Sequence, residues 1–232
     1  MSTKHNIKRM WKASPNDIWT YQLILQNALE KVNLSTGLEL QDIKYINRGQ
    51  DKFVYSIPIN KLKHESAQIN SKGILATAIP INSKFDLYTE FVRLKELHNH
   101  FENKFSPTPE FYRETINSKI LGMEYLDLPL IGEFVAANNT ESVLQKLAYA
   151  EGFAAGTIHK KTGKFHVEPH NENLMVVTEG SNISVKFLDA IEFERGTLRD
   201  IVDTYIDKYS YDRTEVANNP EYFERGLEHS QK

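Results

Sequence analysis

Cysteine is absent from the 232 residues, which excludes disulfides, thiolate metal centres and cysteine nucleophiles. The chain also has no run of 18 apolar residues, so no membrane-spanning helix is expected. Met1 to Pro15 lacks the apolar core that a secretion signal needs, and a cytoplasmic protein is the expectation. The Asn-x-Ser/Thr triplets at Asn33, Asn138 and Asn182 are then coincidental. Neither sign of charge dominates. With 28 basic and 31 acidic residues, the net charge of -3 gives no reason to expect nucleic acid as a partner. There is no internal repeat, no serine triad, no Walker-type phosphate loop and no zinc-ligand cluster.

What is present is an ordinary globular composition, long enough for one two-lobed domain or two small ones. Ser14-Pro15 followed by Asp17 marks a helix start. Ile18, Tyr21, Leu25, Ala28, Leu29 and Val32 then form one apolar stripe, with Gln22, Gln26 and Glu30 on its polar face. Strand-like runs follow at 43–46, 53–59 and 74–79, the first two joined by a turn at 47–51. Ser83 and Asp86 open a second helix with Leu87, Phe91, Leu94, Leu97 and Phe101 inward, and Glu90 lies on the flank of that stripe. Two more strands are expected at 111–114 and 118–123. A long helix over 141–160, a hairpin from 174–177 and 185–188, and a last helix over 198–208 complete the pattern. The tail after Tyr211 is polar and reads as loose.

A β-rich half followed by a helical half predicts an α+β protein with two lobes. The expected division is a helical extension over 1–39, a β-rich lobe over 40–124 and a helical lobe over 125–232.

The segment Phe165-His166-Val167-Glu168-Pro169-His170-Asn171-Glu172-Asn173 carries the chemistry. A loop after a helix holds an acid at Glu168 and, five positions on, an amide at Asn173. The hairpin returns a second acid, Asp189. Phosphoryl transfer needs an acid to orient the attacking hydroxyl, and an amide oxygen with a carboxylate to hold Mg²⁺ on the phosphates.

In this segment the chain resembles the protein-kinase-like superfamily, most of all its aminoglycoside-phosphotransferase and small-molecule-kinase branch. That family's H-x-D-x-x-x-x-N loop is matched in spacing by His166, Glu168 and Asn173, with His170 as its frequent second histidine. The resemblance implies ATP and Mg²⁺ as cofactors and a hydroxyl-bearing acceptor. Glu168, His166 and His170 would form the catalytic set, His166 as its structural member bonding backbone near the metal-binding turn, and Asn173 and Asp189 would hold the metal. Leu121 to Leu126 is similar to the adenine-docking hinge, which implies nucleotide contacts at Met123, Glu124, Tyr125 and Leu126. The 48–55 segment is similar to the phosphate-covering hairpin, with Gly49 at its tip. Glu90 would pair with the strand lysine.

Three departures stand out. Glu168 replaces the usual aspartate, and its extra methylene moves the carboxylate by about 1 Å, a shift able to cost roughly 100-fold. No lysine falls near Ala78, where the family carries its phosphate-binding one, although Lys52, Lys72 and Lys84 are candidates to reach in. The hairpin tip has a single glycine. A pseudokinase acting through nucleotide or a partner protein is therefore the first alternative. The second is a metal site built from His166, Glu168 and His170, which would share one face if the segment were a strand.

Overall fold

The computed structural model describes residues 13–48, 51–63, 73–82 and 84–232. It is a mixed α and β protein whose largest sheet is antiparallel and five-stranded. The chain forms two compact units, 1–91 with 108–126, and 92–107 with 127–232. Among the described residues no helix is long and apolar enough to cross a membrane.

The first unit opens with α1 (Pro15–Lys31), where Ser14 accepts the Asp17 N–H and proline takes the first turn. Its apolar stripe buries Leu25, Ala28 and Leu29 in one core with Phe53, Tyr55 and Ile57. The glutamines on its polar face are not spent on solvent. Gln22 donates to the carbonyls of Leu40 (2.6 Å) and Ile43 (2.7 Å), and Gln26 to that of Leu38 (2.9 Å). They bind carbonyls of the segment between α1 and β1, whose own backbone forms a short 3-10 turn at Leu40–Asp42.

The sheet runs β1-β2-β3-β5-β4, from β1 (Lys44–Arg48), β2 (Lys52–Pro58), β3 (Ile74–Pro80), β4 (Pro109–Thr115) and β5 (Ser118–Glu124). β2 alternates between buried and half-buried residues, as a strand with one covered face should. β3 is buried almost throughout, in keeping with its central place. Between β1 and β2 the expected hairpin forms with Arg48 opposite Phe53, and the tip residue Gly49 lies outside the described residues. Helix α2 (Leu87–Phe101) follows β3. Its cap is Asp86, which accepts the Thr89 N–H (3.1 Å) and hydroxyl (2.6 Å), while Ser83 lies outside the described residues.

The second unit contains α3 (Ile131–Ala137) and the long α4 (Glu141–Thr162), which ends at Gly163 with a left-handed φ of 66°. Short β6 (Lys164–His166) pairs with β9 (Phe193–Arg195), and β7 (Leu174–Glu179) pairs with β8 (Asn182–Phe187) as a hairpin. Helix α5 (Leu198–Val202) continues into a π-helical turn at Asp203–Lys208.

The tail is not loose. Beyond Tyr211 the chain forms α6 (Thr214–Ala217) and α7 (Pro220–Gln231), and it buries Arg213, Val216, Phe223 and Leu227. The apolar residues of α7 are few and its charges many, so composition alone hides a helix that packs through small residues. A Cβ on Gly152 of α4 would overlap the Phe223 carbonyl, and one on Gly226 would overlap the Tyr149 carbonyl. These are backbone obstacles that cannot rotate away. Gly152→Ala should therefore lower stability by about 1–3 kcal/mol despite its better helix propensity, read as a shifted denaturant midpoint. A stabilised variant would disprove this close approach.

Candidate functional site

His166 ends β6, and its side chain is fully buried between Phe187 (ring centroids 5.4 Å apart) and Phe193 (5.1 Å). Its Nδ1 accepts the Glu168 N–H at 3.3 Å, so the proton sits on Nε2, which donates to the Asp189 carbonyl at 2.8 Å. Burial drives the pKa of this imidazole down to about 4, with the nearby Asp189 carboxylate only partly offsetting the effect. His166 was expected in the catalytic set. Both ring nitrogens are taken by backbone and the ring is neutral, so its role is to tie the loop to the turn that carries Asp189.

That tie has a measurable cost in acid. Below pH 6.5 the unfolded chain protonates this histidine, while the folded ring stays neutral until about pH 4. Stability then falls as pH drops through that window. Lowering pH from 7 to 5 should cost about 2 kcal/mol through this group, visible as an earlier urea midpoint. His166→Gln should flatten the dependence, and an unchanged pH slope in that variant would refute the assignment.

Past His166 the chain leaves the strand, so 166, 168 and 170 do not alternate on one sheet face. With the His166 nitrogens already engaged, the three-residue metal triad is not formed, and no cluster of three His, Asp or Glu suited to a metal occurs among the described residues. The loop is instead organised around Asn173. Its Nδ2 donates to the Glu168 carbonyl at 3.0 Å, its N–H to the His170 carbonyl at 2.9 Å, and its carbonyl accepts the Leu188 N–H at 2.8 Å. Only the amide nitrogen can donate to a carbonyl, so the amide orientation is settled, and its oxygen is not the atom spent on the loop. The Leu188 contact sets Asn173 beside the chain entering Asp189. Asp189 in turn accepts the Ile191 N–H on Oδ1 at 3.2 Å.

Glu168 is half exposed. His170 stands between two acids, with Nε2 3.7 Å from Glu168 and Nδ1 3.7 Å from Asp212. Its ring meets Tyr209 edge-on at 4.7 Å. The Asp212 carboxylate is the largest influence raising the His170 pKa, and burial works against it. Glu168 also borders a cavity of about 550 Å³ whose wall includes Glu192, Glu194, Arg195 and Lys208. Burial, followed by the neighbouring Glu168 charge, pushes the Glu192 carboxyl up.

In the first unit Glu90 is fully buried and does not sit on an exposed helix flank. Its Oε1 lies 2.6 Å from Lys52 Nζ, and the lysine side chain keeps only 14% of its exposure. Lys52 stands on β2 opposite Pro80, the last residue of β3. No lysine stands near Ala78, and the cation that meets Glu90 comes from one strand over. The two residues are 38 apart in sequence, and no periodicity links them.

Met123 is buried in β5 beside Ala76 of β3. Glu124 spends its N–H on the Thr108 carbonyl (2.8 Å) and its carboxylate on the Thr108 N–H and hydroxyl (3.1 Å each). Tyr125 and Leu126 follow as half-buried, non-strand chain.

The features sequence reasoning missed in the second unit are Asp212 and Arg213. Asp212 accepts the Asn171 backbone N–H (2.8 Å) and side-chain amide (3.1 Å), and its own carbonyl accepts that amide too (2.6 Å). Arg213 is fully buried, donates to the Pro169 carbonyl (2.8 Å), and forms ion pairs with Glu151 of α4 and with Glu215. A charged residue in a polar tail carries no local signal for such a place. No family model and no curated protein matches this chain.

Proposed function

We propose that this chain is an ATP- and Mg²⁺-dependent phosphotransferase acting on a hydroxyl acceptor, with its two units as the lobes of a protein-kinase-like fold. The observation that carries the reading is the closure of the 166–173 loop onto the 187–191 turn. It sets an amide and a carboxylate on adjoining backbone with a glutamate at the loop's mouth. Asn173 and Asp189 would hold Mg²⁺, whose chemistry is to neutralise charge on the transferring phosphate. Glu168 would orient the acceptor hydroxyl, and the cavity it borders would receive that acceptor. The backbone from Glu124 to Leu126 would take the adenine. Since the Glu124 N–H is committed to Thr108, the donors would come from Tyr125 and Leu126.

The Lys52–Glu90 pair favours turnover over a silent module, because it restores a lysine–glutamate pair with the cation supplied from β2. Glu168 in place of aspartate favours the second reading, a pseudokinase that binds nucleotide or a partner protein.

Thermal denaturation with ATP, with and without Mg²⁺, tests both. A ligand at 100 times its dissociation constant adds about 2.7 kcal/mol to the state that binds it, so Mg²⁺–ATP should raise Tm by several degrees. No shift under either condition would remove the phosphotransferase and every nucleotide-binding reading, leaving only a pseudokinase that acts through a partner protein.

A further inference from the structure

The contacts made by Asp212 and Arg213 alternate with the residues of the proposed metal and acceptor site. Arg213 grips the Pro169 carbonyl, directly after Glu168. Asp212 grips Asn171 through both its backbone and its side chain, two residues before Asn173. Tyr209 closes on the His170 ring between them. A five-residue stretch from the C-terminal part of the chain thus holds the loop at three successive points. The loop has few anchors of its own. Within 168–173 its hydrogen bonds are the short turns from His170 to Glu168 and from Asn173 to His170, and the Asn173 side-chain bond to Glu168.

The anchor is itself fixed. Burial opposes the Arg213 charge, but the two carboxylates beside it more than offset that, and its pKa is raised. Its Nε lies 2.7 Å from Glu215 Oε1, and Glu151 reaches it from α4. Asp212, next in the chain, therefore leaves a rigid point, and its carboxylate is the part that meets the loop.

We propose that Asp212 is a positioning residue: by clamping Asn171 it sets the place of the Asn173 amide and hence the affinity of the site for a divalent cation. The role rests on the metal site assigned to Asn173 and Asp189 above. Groups that orient ligands without touching the metal typically change metal affinity by about 10- to 100-fold when removed. Asp212→Ala removes the carboxylate from the Asn171 N–H and amide, and Asn171→Ala removes the amide but leaves the backbone N–H, so the two losses overlap and should add only in part.

The test is Mn²⁺ binding, followed by electron paramagnetic resonance in the presence of a non-hydrolysable ATP analogue, on the full chain. Each single variant is expected to bind Mn²⁺ about tenfold more weakly than wild type, and the double variant clearly less than about 100-fold more weakly. Amide exchange should quicken at Asn171 and Asn173 while α4 keeps its protection. A role confined to stability would lower Tm and leave Mn²⁺ affinity unchanged, and that outcome overturns the positioning role. Fully additive losses overturn the clamp as its mechanism. Absence of Mn²⁺ binding by wild type overturns the metal site itself and this role with it, which separates that failure from the others.

Discussion

Asp189→Ala is expected to lower Mg²⁺-dependent phosphotransfer by about 1,000-fold, roughly 4 kcal/mol of barrier. The residue follows β8, and its backbone carbonyl is held by the buried His166 while its carboxylate accepts the Ile191 N–H. The backbone contact survives in the variant, because a carbonyl does not depend on the side chain. The folded state should therefore keep its tie to His166 and lose the Ile191 contact, worth about 1 kcal/mol. The expected pattern is a near-normal Tm together with a collapsed rate of ATP turnover, measured with a panel of hydroxyl acceptors. Turnover within tenfold of wild type would take Asp189 out of the site. Nucleotide binding by wild type with no turnover on any acceptor or on itself would move the protein to the pseudokinase reading.

For stability the largest effect should come from Arg213→Met. The guanidinium and its partners Glu151 and Glu215 are all essentially without solvent exposure. Removing the only cation of the three leaves buried carboxylates without their partner and frees the Pro169 carbonyl. Breaking such a pair costs about 3–5 kcal/mol. The loss should grow with pH. Burial already pushes the Glu151 carboxyl up, with Arg213 pulling the other way. Without the arginine, the folded variant holds protons to a still higher pH than the unfolded chain does. Its stability then falls as pH rises. Denaturant titrations at pH 6 and pH 8.5 should show the larger deficit at the higher value. A deficit under about 1 kcal/mol, or one that shrinks with pH, would contradict this account. Replacing all three residues with apolar ones of similar size should recover most of the loss, since the desolvation cost then vanishes with the charges.

Both effects depend on the same small region, but they differ in how far the sequence foretells them. Asp189 was legible because its neighbours are local. A hairpin of alternating residues, with a turn at Gly180, returns the chain to where Asn173 left it. Spacing along one hairpin determines which residues meet. Arg213 was not legible. Its partners lie 62 residues before it, 44 before it and 2 after it, at Glu151, Pro169 and Glu215. A single arginine among polar neighbours has no period to betray its burial, so the tail reads as loose.

The Lys52–Glu90 pair divides the same way. The sequence placed Glu90 on the right helix and showed that β3 carries no lysine. It left Lys52 as one of three candidates. Only the register between β2 and β3 brings the first residue of β2 opposite the last residue of β3, where the chain leads into α2. Likewise, the amphipathic pattern of α1 marked its buried stripe but not the use of Gln22 and Gln26. That use depends on where the carbonyls of a segment with a single 3-10 turn come to lie.

By itself the sequence determined the elements that repeat with a period of 2 or 3.6, the hairpins closed by short turns, and the loop of Glu168 and Asn173. Each of these is settled by backbone geometry over a few residues. Tertiary structure alone decided which cation meets Glu90, that His166 is fully buried and neutral, and that Asp212 and Arg213 hold the loop from behind. Those outcomes depend on desolvation and on contacts between distant segments, and neither quantity exists until the chain has packed.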